Sequence, residues 1–253
     1  MSYREQAVSL RRWNIAAGLL HLASFFAALG VSIAYNERSY QTELTTDFNG
    51  VLRSLGLYRV VWVDLPFPLI TAIFHFAVSA PANWRWHSEL VLNKGRNPVR
   101  WSEYSITASL MVWVISQLAG ITNVVTLVTQ VLVNVCMQAT GYIMERVNER
   151  RPRSLHDYSA MAVGYVLFVA QWVLILTYFF ANISADGAPW FVYVIVLGLF
   201  VQFLLFGLVM TLHYYGPWKW FHSNYNYEWC YILLSFTTKL FLTWTLLIGI
   251  ITR

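Results

Sequence analysis

Chemistry in this chain starts with one lysine. Lys239 lies near the centre of Trp229 to Thr252, a run of more than 20 residues with no other charge. As a helix rising about 1.5 Å per residue, such a run crosses a bilayer core of about 30 Å. A lysine at that depth costs roughly 2.5–3.5 kcal/mol on insertion scales, so it must be paired or chemically changed. Two readings stay open on this segment alone: a structural ion pair, or an amine held in an apolar pocket that condenses with an aldehyde to form a Schiff base.

A buried cation needs a carboxylate, and Asp64, Glu103, Glu145, Asp186 and Glu228 lie within or near the ends of apolar runs. Asp186 falls in a turn, and Glu145 and Glu228 at helix ends beside loops, where solvated carboxylates are expected. Asp64 reads as an interfacial residue facing Arg59. Glu103 is the better partner: it stands more than a turn past Pro98 in Trp101-Ser102-Glu103-Tyr104-Ser105, and no charge follows it to Leu118. Helical side chains lean toward their own N-terminus, which tilts Lys239 toward the half of the membrane where Glu103 sits. Ser235, one turn before the lysine, and Thr107, four residues after Glu103, are placed to join a hydrogen-bond network.

The elements that must position these groups are membrane helices. The chain is 58% hydrophobic, 17% aromatic and only 11% charged, outside the range of soluble domains. Apolar runs predict seven spans in one domain over residues 1–253: about 13–35, 58–80, 98–119, 123–147, 158–184, 189–215 and 225–252. Met1 to Arg12 reads as a basic leader to the first span and not as a cleaved signal, because the apolar run is too long and no small-residue cleavage site ends it. The longest connection, Asn36 to Leu57, alternates loosely around Asp47, Asn49 and Gly50 and predicts a short β-hairpin. Pro81 to Asn97 reads as a polar, basic connection. Cys136 and Cys230 sit inside apolar runs and read as small buried side chains, not as a disulfide or a metal site.

Basic residues set the orientation. Twelve fall in the N-terminal segment and the second, fourth and sixth connections, against four (Arg38, Arg53, Arg59, Arg253) on the other side. The positive-inside rule then puts the N-terminus in the cytoplasm and the C-terminus outside. The basic residues are dispersed in short loops, which is a membrane pattern and not a nucleic-acid face.

Three histidines lie in the spans: His21, His75 and His213. His21 and His75 are candidates for a shared polar cavity that accepts or stores a proton. The same three support a rival reading, an intramembrane zinc hydrolase, although no His-x-x-x-His places two ligands one turn apart. His87, His156 and His222 lie in loops and ask for no special account. Depth in the spans nominates Met111, Asn134, Met137, Gln138, Trp172, Phe200, Phe203 and Phe206 as pocket lining. Aromatic and methionine stripes are also ordinary helix packing.

Seven spans with a lone lysine in the last, Ser-Phe-Thr-Thr-Lys on that helix and Glu-Tyr-Ser at the head of the third resemble the microbial retinal proteins, and with the inverted orientation the heliorhodopsins in particular. The resemblance covers essentially the whole chain, including the long first loop. It implies a rhodopsin-like all-α bundle, retinal bound as a protonated Schiff base on Lys239, Glu103 as counterion with Ser235 beside it, and no enzyme activity. It further implies all-trans retinal in the dark and a homodimer contact through the first loop. Outward proton pumps of this kind carry a second acid three turns beyond the helix 3 carboxylate and another four residues before the lysine. Here those positions are Val114 and Ser235. The expectation is therefore a light sensor acting on a cytoplasmic partner that the sequence does not identify, with a light-driven proton transporter as the alternative. A receptor for a diffusible ligand would have no use for both Lys239 and Glu103.

Overall fold

The computed structural model describes residues 1–149, 151–183 and 187–252; Asp186 and Arg253, named above, lie outside the described residues. Among the described residues, seven spans form a closed ring: α1 (Tyr3–Ala34), α2 and α3 as one interrupted span (Val61–Asp64, Pro66–Ser79), α5 (Pro98–Leu118), α6 (Val124–Asn148), α7 (Ser159–Asn182), α8 (Trp190–Tyr214) and α9 (Asn224–Ile251). Each packs on its chain neighbour, and α9 closes on α1. Pro66 and Pro68 fall where α2 gives way to α3, at a first turn that needs no donor.

Six of the spans are long and apolar enough to cross a membrane by composition alone. The remaining one, α5, also touches α7 and α8 across the ring and is buried on most of its faces. A helix shielded from lipid needs no apolar exterior, so it is free to carry Arg100, Glu103 and several serines. Asn97 caps it, its Oδ1 accepting from Arg100 N at 3.0 Å, and Pro98 occupies the first turn.

The first span starts ten residues earlier than its apolar run. Ser2 and Glu5 form a capping box, and Ala7 and Leu10 are buried with Val91, Leu92 and Ile232, so the basic leader is helical and packed. The connection read as polar coil is likewise ordered, with α4 (Trp84–Ser88) running into a π-helical turn over Glu89–Asn93.

The hairpin is longer than its alternation suggested. β1 (Gln41–Phe48) pairs antiparallel with β2 (Val51–Arg59), so Tyr58 and Arg59, expected in the second span, are strand. Asn49 and Gly50 both have positive φ, 54° and 74°, the geometry of a two-residue type I′ turn. Thr45 N–H donates to Thr122 O at 3.0 Å, and Trp113 Nε1 donates to Tyr58 Oη at 2.7 Å, which docks the hairpin over one end of the bundle. Cys136 is exposed on the outer surface of α6 and Cys230 is only half-buried, so the first is not the buried side chain expected.

Candidate functional site

Lys239 and Glu103 meet. The lysine Nζ donates to Glu103 Oε1 at 2.5 Å and to Ser235 Oγ at 2.9 Å, with both residues of the ion pair buried. Glu103 Oε1 also accepts from Thr107 Oγ1 at 2.8 Å and from Thr71 Oγ1 at 2.7 Å. Charge-assisted hydrogen bonds of this kind hold a carboxylate in its ionised form where water is scarce. The Tyr104 ring lies 5.1 Å from Lys239 Nζ and offers the cation its π face. Thr71 escapes a sequence reading because only packing brings α3 to α5.

From the lysine, an apolar cavity opens between α5, α6, α7, α8 and α9. Of the residues nominated for the pocket, Met111, Met137, Gln138, Phe203 and Phe206 line it, together with Thr107 and Ser235 of the ion-pair network. The other nominees stand behind that wall. Asn134 donates to Ser109 Oγ at 3.0 Å and accepts from Gln138 Nε2 at 3.4 Å, while Trp172 and Phe200 pack edge to face at 5.3 Å behind Phe203. Tyr104, Tyr231 and Thr238 line the cavity without having been singled out, although each sits within a few turns of Glu103 or Lys239 on the same helix. Gly141 lets Trp101 approach: a Cβ there would meet the Trp101 ring at 2.4 Å.

A second, polar cavity lies on the other side of Glu103. Asn14, Thr71, His75, His87, Arg100, Glu228 and Ser235 are among the residues around it. His21 and His75 stack at 5.8 Å, but only His75 faces this cavity, its Nδ1 donating to Asn14 Oδ1 at 2.8 Å. His213 belongs elsewhere. It donates from Nδ1 to Phe221 O at 2.7 Å, stacks on Tyr227 at 4.1 Å and lines a third cavity with His156 and His222. The three histidines required by the zinc hydrolase reading are therefore not assembled, and among the described residues no group of His, Cys, Asp and Glu is arranged to hold a metal.

Three expectations about charge are corrected. Glu145 and Glu228 are not solvated helix ends: they are 0% and 4% exposed and clasp Arg100, which itself is 6% exposed. Helix ends bury when the chain folds over them, and here Asn97, at the start of α5, donates its backbone N–H to Glu145 and its Nδ2 to Glu228. Asp64 does not face Arg59; it is fully buried beside Thr243, and Arg59 pairs instead with Glu37 at 3.1 Å. His87, set aside as a loop residue, is 3% exposed.

A crystal structure of Exiguobacterium sibiricum rhodopsin superposes with a TM-score of 0.67 over 97% of each chain at 13% identity, which establishes a common fold. No curated protein matches the chain by sequence. The sequence profile of the heliorhodopsins matches residues 10–251, nearly the entire chain, and with a buried amine and carboxylate pair at the end of an apolar cavity the chain belongs to the heliorhodopsin family, the light-responsive, retinal-binding membrane proteins.

Proposed function

We propose that Lys239 is the covalent attachment point of retinal, that Glu103 is its counterion, and that the protein signals in response to light without net ion transport. The observation that carries this reading is the 2.5 Å contact between Lys239 Nζ and Glu103 Oε1 at the mouth of the apolar cavity. The residues present fit the group: one reactive amine, an apolar wall that includes Met111, Met137, Phe203 and Phe206, and a few polar side chains, among them Thr107, Gln138 and Ser235. When bound, retinal supplies an aldehyde for the amine and a polyene that absorbs visible light.

The chain's own residues supply the rest. Glu103 holds a positive charge on the lysine nitrogen, and Thr71, Thr107 and Ser235 fix the position of both partners. The apolar walls exclude water, so the pair acts at low dielectric, where a small displacement changes its energy strongly. Breaking and remaking such a pair biases the helices that carry it between two packings. The basic residues favour a cytoplasmic N-terminus and an outer C-terminus, with the hairpin outside. Val51, Leu52, Leu55 and Leu57 are exposed on β2, apolar surface on the hairpin that suits contact with a second copy of the chain.

The test is a visible spectrum after expression with all-trans retinal. Wild type is expected to give a pigment, Lys239→Ala none, and Glu103→Gln a pigment with a displaced band. A pigment that survives the loss of Lys239 would overturn the attachment, and a sustained light-driven pH change in a cell suspension would replace signalling with proton transport.

A further inference from the structure

One buried cluster carries more negative than positive charge. Arg100 is its cation, and Glu145 and Glu228 are its two carboxylates. Every carboxylate oxygen already accepts a hydrogen bond. Glu145 Oε1 takes one from Arg100 and one from Tyr227 Oη at 3.2 Å, and its Oε2 takes Asn97 N–H at 2.8 Å. Glu228 Oε2 takes Arg100 Nη1 at 2.5 Å, and its Oε1 takes Asn97 Nδ2 at 2.8 Å. The carboxylates are thus satisfied in hydrogen bonds while the cluster is not balanced in charge, and a buried excess charge favours a cation nearby.

A base stands beside it. His87 lines the polar cavity that also touches Glu103, Arg100 and Glu228, and it lies in hydrogen-bonding reach of Asn97. We propose that His87 receives the proton that leaves the Lys239 and Glu103 pair after light absorption, and that the excess charge of Arg100, Glu145 and Glu228 holds the proton there. This rests on the light-driven reading of Lys239 given above.

The step balances without a redox partner. An N–H bond at the Lys239 nitrogen breaks and its electron pair stays on that nitrogen, while the proton adds to the imidazole lone pair of His87. The groups facing His87 are Arg100 and Glu103 from α5, Glu228 from α9, and His75 from α3. Glu103 and Glu228 favour its cation, and Arg100 opposes it. Burial pushes His87 down to about 4, so it rests neutral at neutral pH and is free to accept. His75 already spends one nitrogen on Asn14 and lines the same cavity as Glu103 and His87, which places it to relay a proton between them.

The test is nitrogen-15 NMR of histidine-labelled protein, with His87→Gln, or His87→Asn should that not fold, to assign the signal. In pigmented wild type, His87 is expected to be neutral in the dark and to become an imidazolium under continuous light. In the retinal-free protein, Glu228→Gln or Glu145→Gln is expected to weaken proton binding at His87 on the order of tenfold, because one negative charge nearby is lost. A pigmented protein in which His87 stays neutral under light, or a titration that neither variant moves, overturns the assignment. A protein that forms no pigment removes the attachment of retinal at Lys239 and the proton acceptor with it.

Discussion

Replacing Arg100 by methionine keeps much of the side chain's length and volume and removes its charge. Arg100 joins three helices: it lies on α5, bonds Glu145 of α6 and Glu228 of α9, and stacks its guanidinium 4.0 Å from the Tyr231 ring. Without it, two carboxylates are left buried with only Asn97 and Tyr227 as donors. Removing one partner of a buried ion pair costs about 3–5 kcal/mol, most of it from the charge left behind. At about 2–4 °C per kcal/mol for a chain of this size, Arg100→Met is expected to lower the melting temperature by roughly 6–20 °C. The assay is a thermal melt in detergent followed by tryptophan fluorescence. The cause is separated by a second background: with Glu145→Gln and Glu228→Gln already in place no charge is stranded, and Arg100→Met should then cost a small part of that. If the triple variant melts as low as the single one, the loss comes from packing on Tyr231 and the electrostatic account is wrong.

Three other outcomes follow from the geometry. His87 binds a proton less readily folded, at about 4, than unfolded, near 6.5, so the unfolded state takes up more protons between those values. Stability is therefore full above about pH 6.5 and falls by up to about 3 kcal/mol as pH drops toward 4, and melts of His87→Gln across that range should lose this component. Gly141→Ala drives a methyl into the Trp101 ring, 2.4 Å from the ideal Cβ, and is expected to cost about 1–3 kcal/mol and to shift the visible band, as melts and spectra would show. Gly30→Ala meets nothing within 4 Å inside α1 and is expected to be neutral or to stabilise by up to about 1 kcal/mol in the same melts.

Much of this was legible in the sequence because the signals are local. A lone charge in a long apolar run marks Lys239, an uncharged stretch after one acid marks Glu103, and Asn49-Gly50 marks the turn of the hairpin. What failed was burial decided by distant segments. Glu145 and Glu228 sit at helix ends, and nothing beside them in the chain reveals that Asn97 and Arg100 at the start of α5 reach both. Asp64 is buried because β1 and β2 continue to Arg59 and dock on the turn between α5 and α6, displacing the start of α2 by three residues. Thr71 acquires its partner only when α3 packs against α5, and His87 is buried only when α4 packs against α1 and α3, registers that periodicity does not encode.

The two halves of the bundle differ in a way that bears on transport. On the side of Glu103 away from the hairpin, polar groups are continuous: the ion pair, the cavity with His75 and His87, then Arg100 with its carboxylates. Toward the hairpin, Val60, Val61, Phe67, Leu118, Leu242 and Leu246 form a core no more than 5% exposed. Asp64 is the buried acid on that side, and a carboxyl set beside one threonine among such side chains gives a proton no chain of partners to follow. On the proposed reading, a proton that leaves the Lys239 nitrogen meets the larger polar network on the side away from the hairpin and is expected to return by that route. Illuminated vesicles containing the protein should accordingly show transient proton uptake or release, if any, on one face and no steady pH difference, whereas a gradient that builds under continuous light and collapses with a protonophore would mean that the apolar half opens during the light reaction.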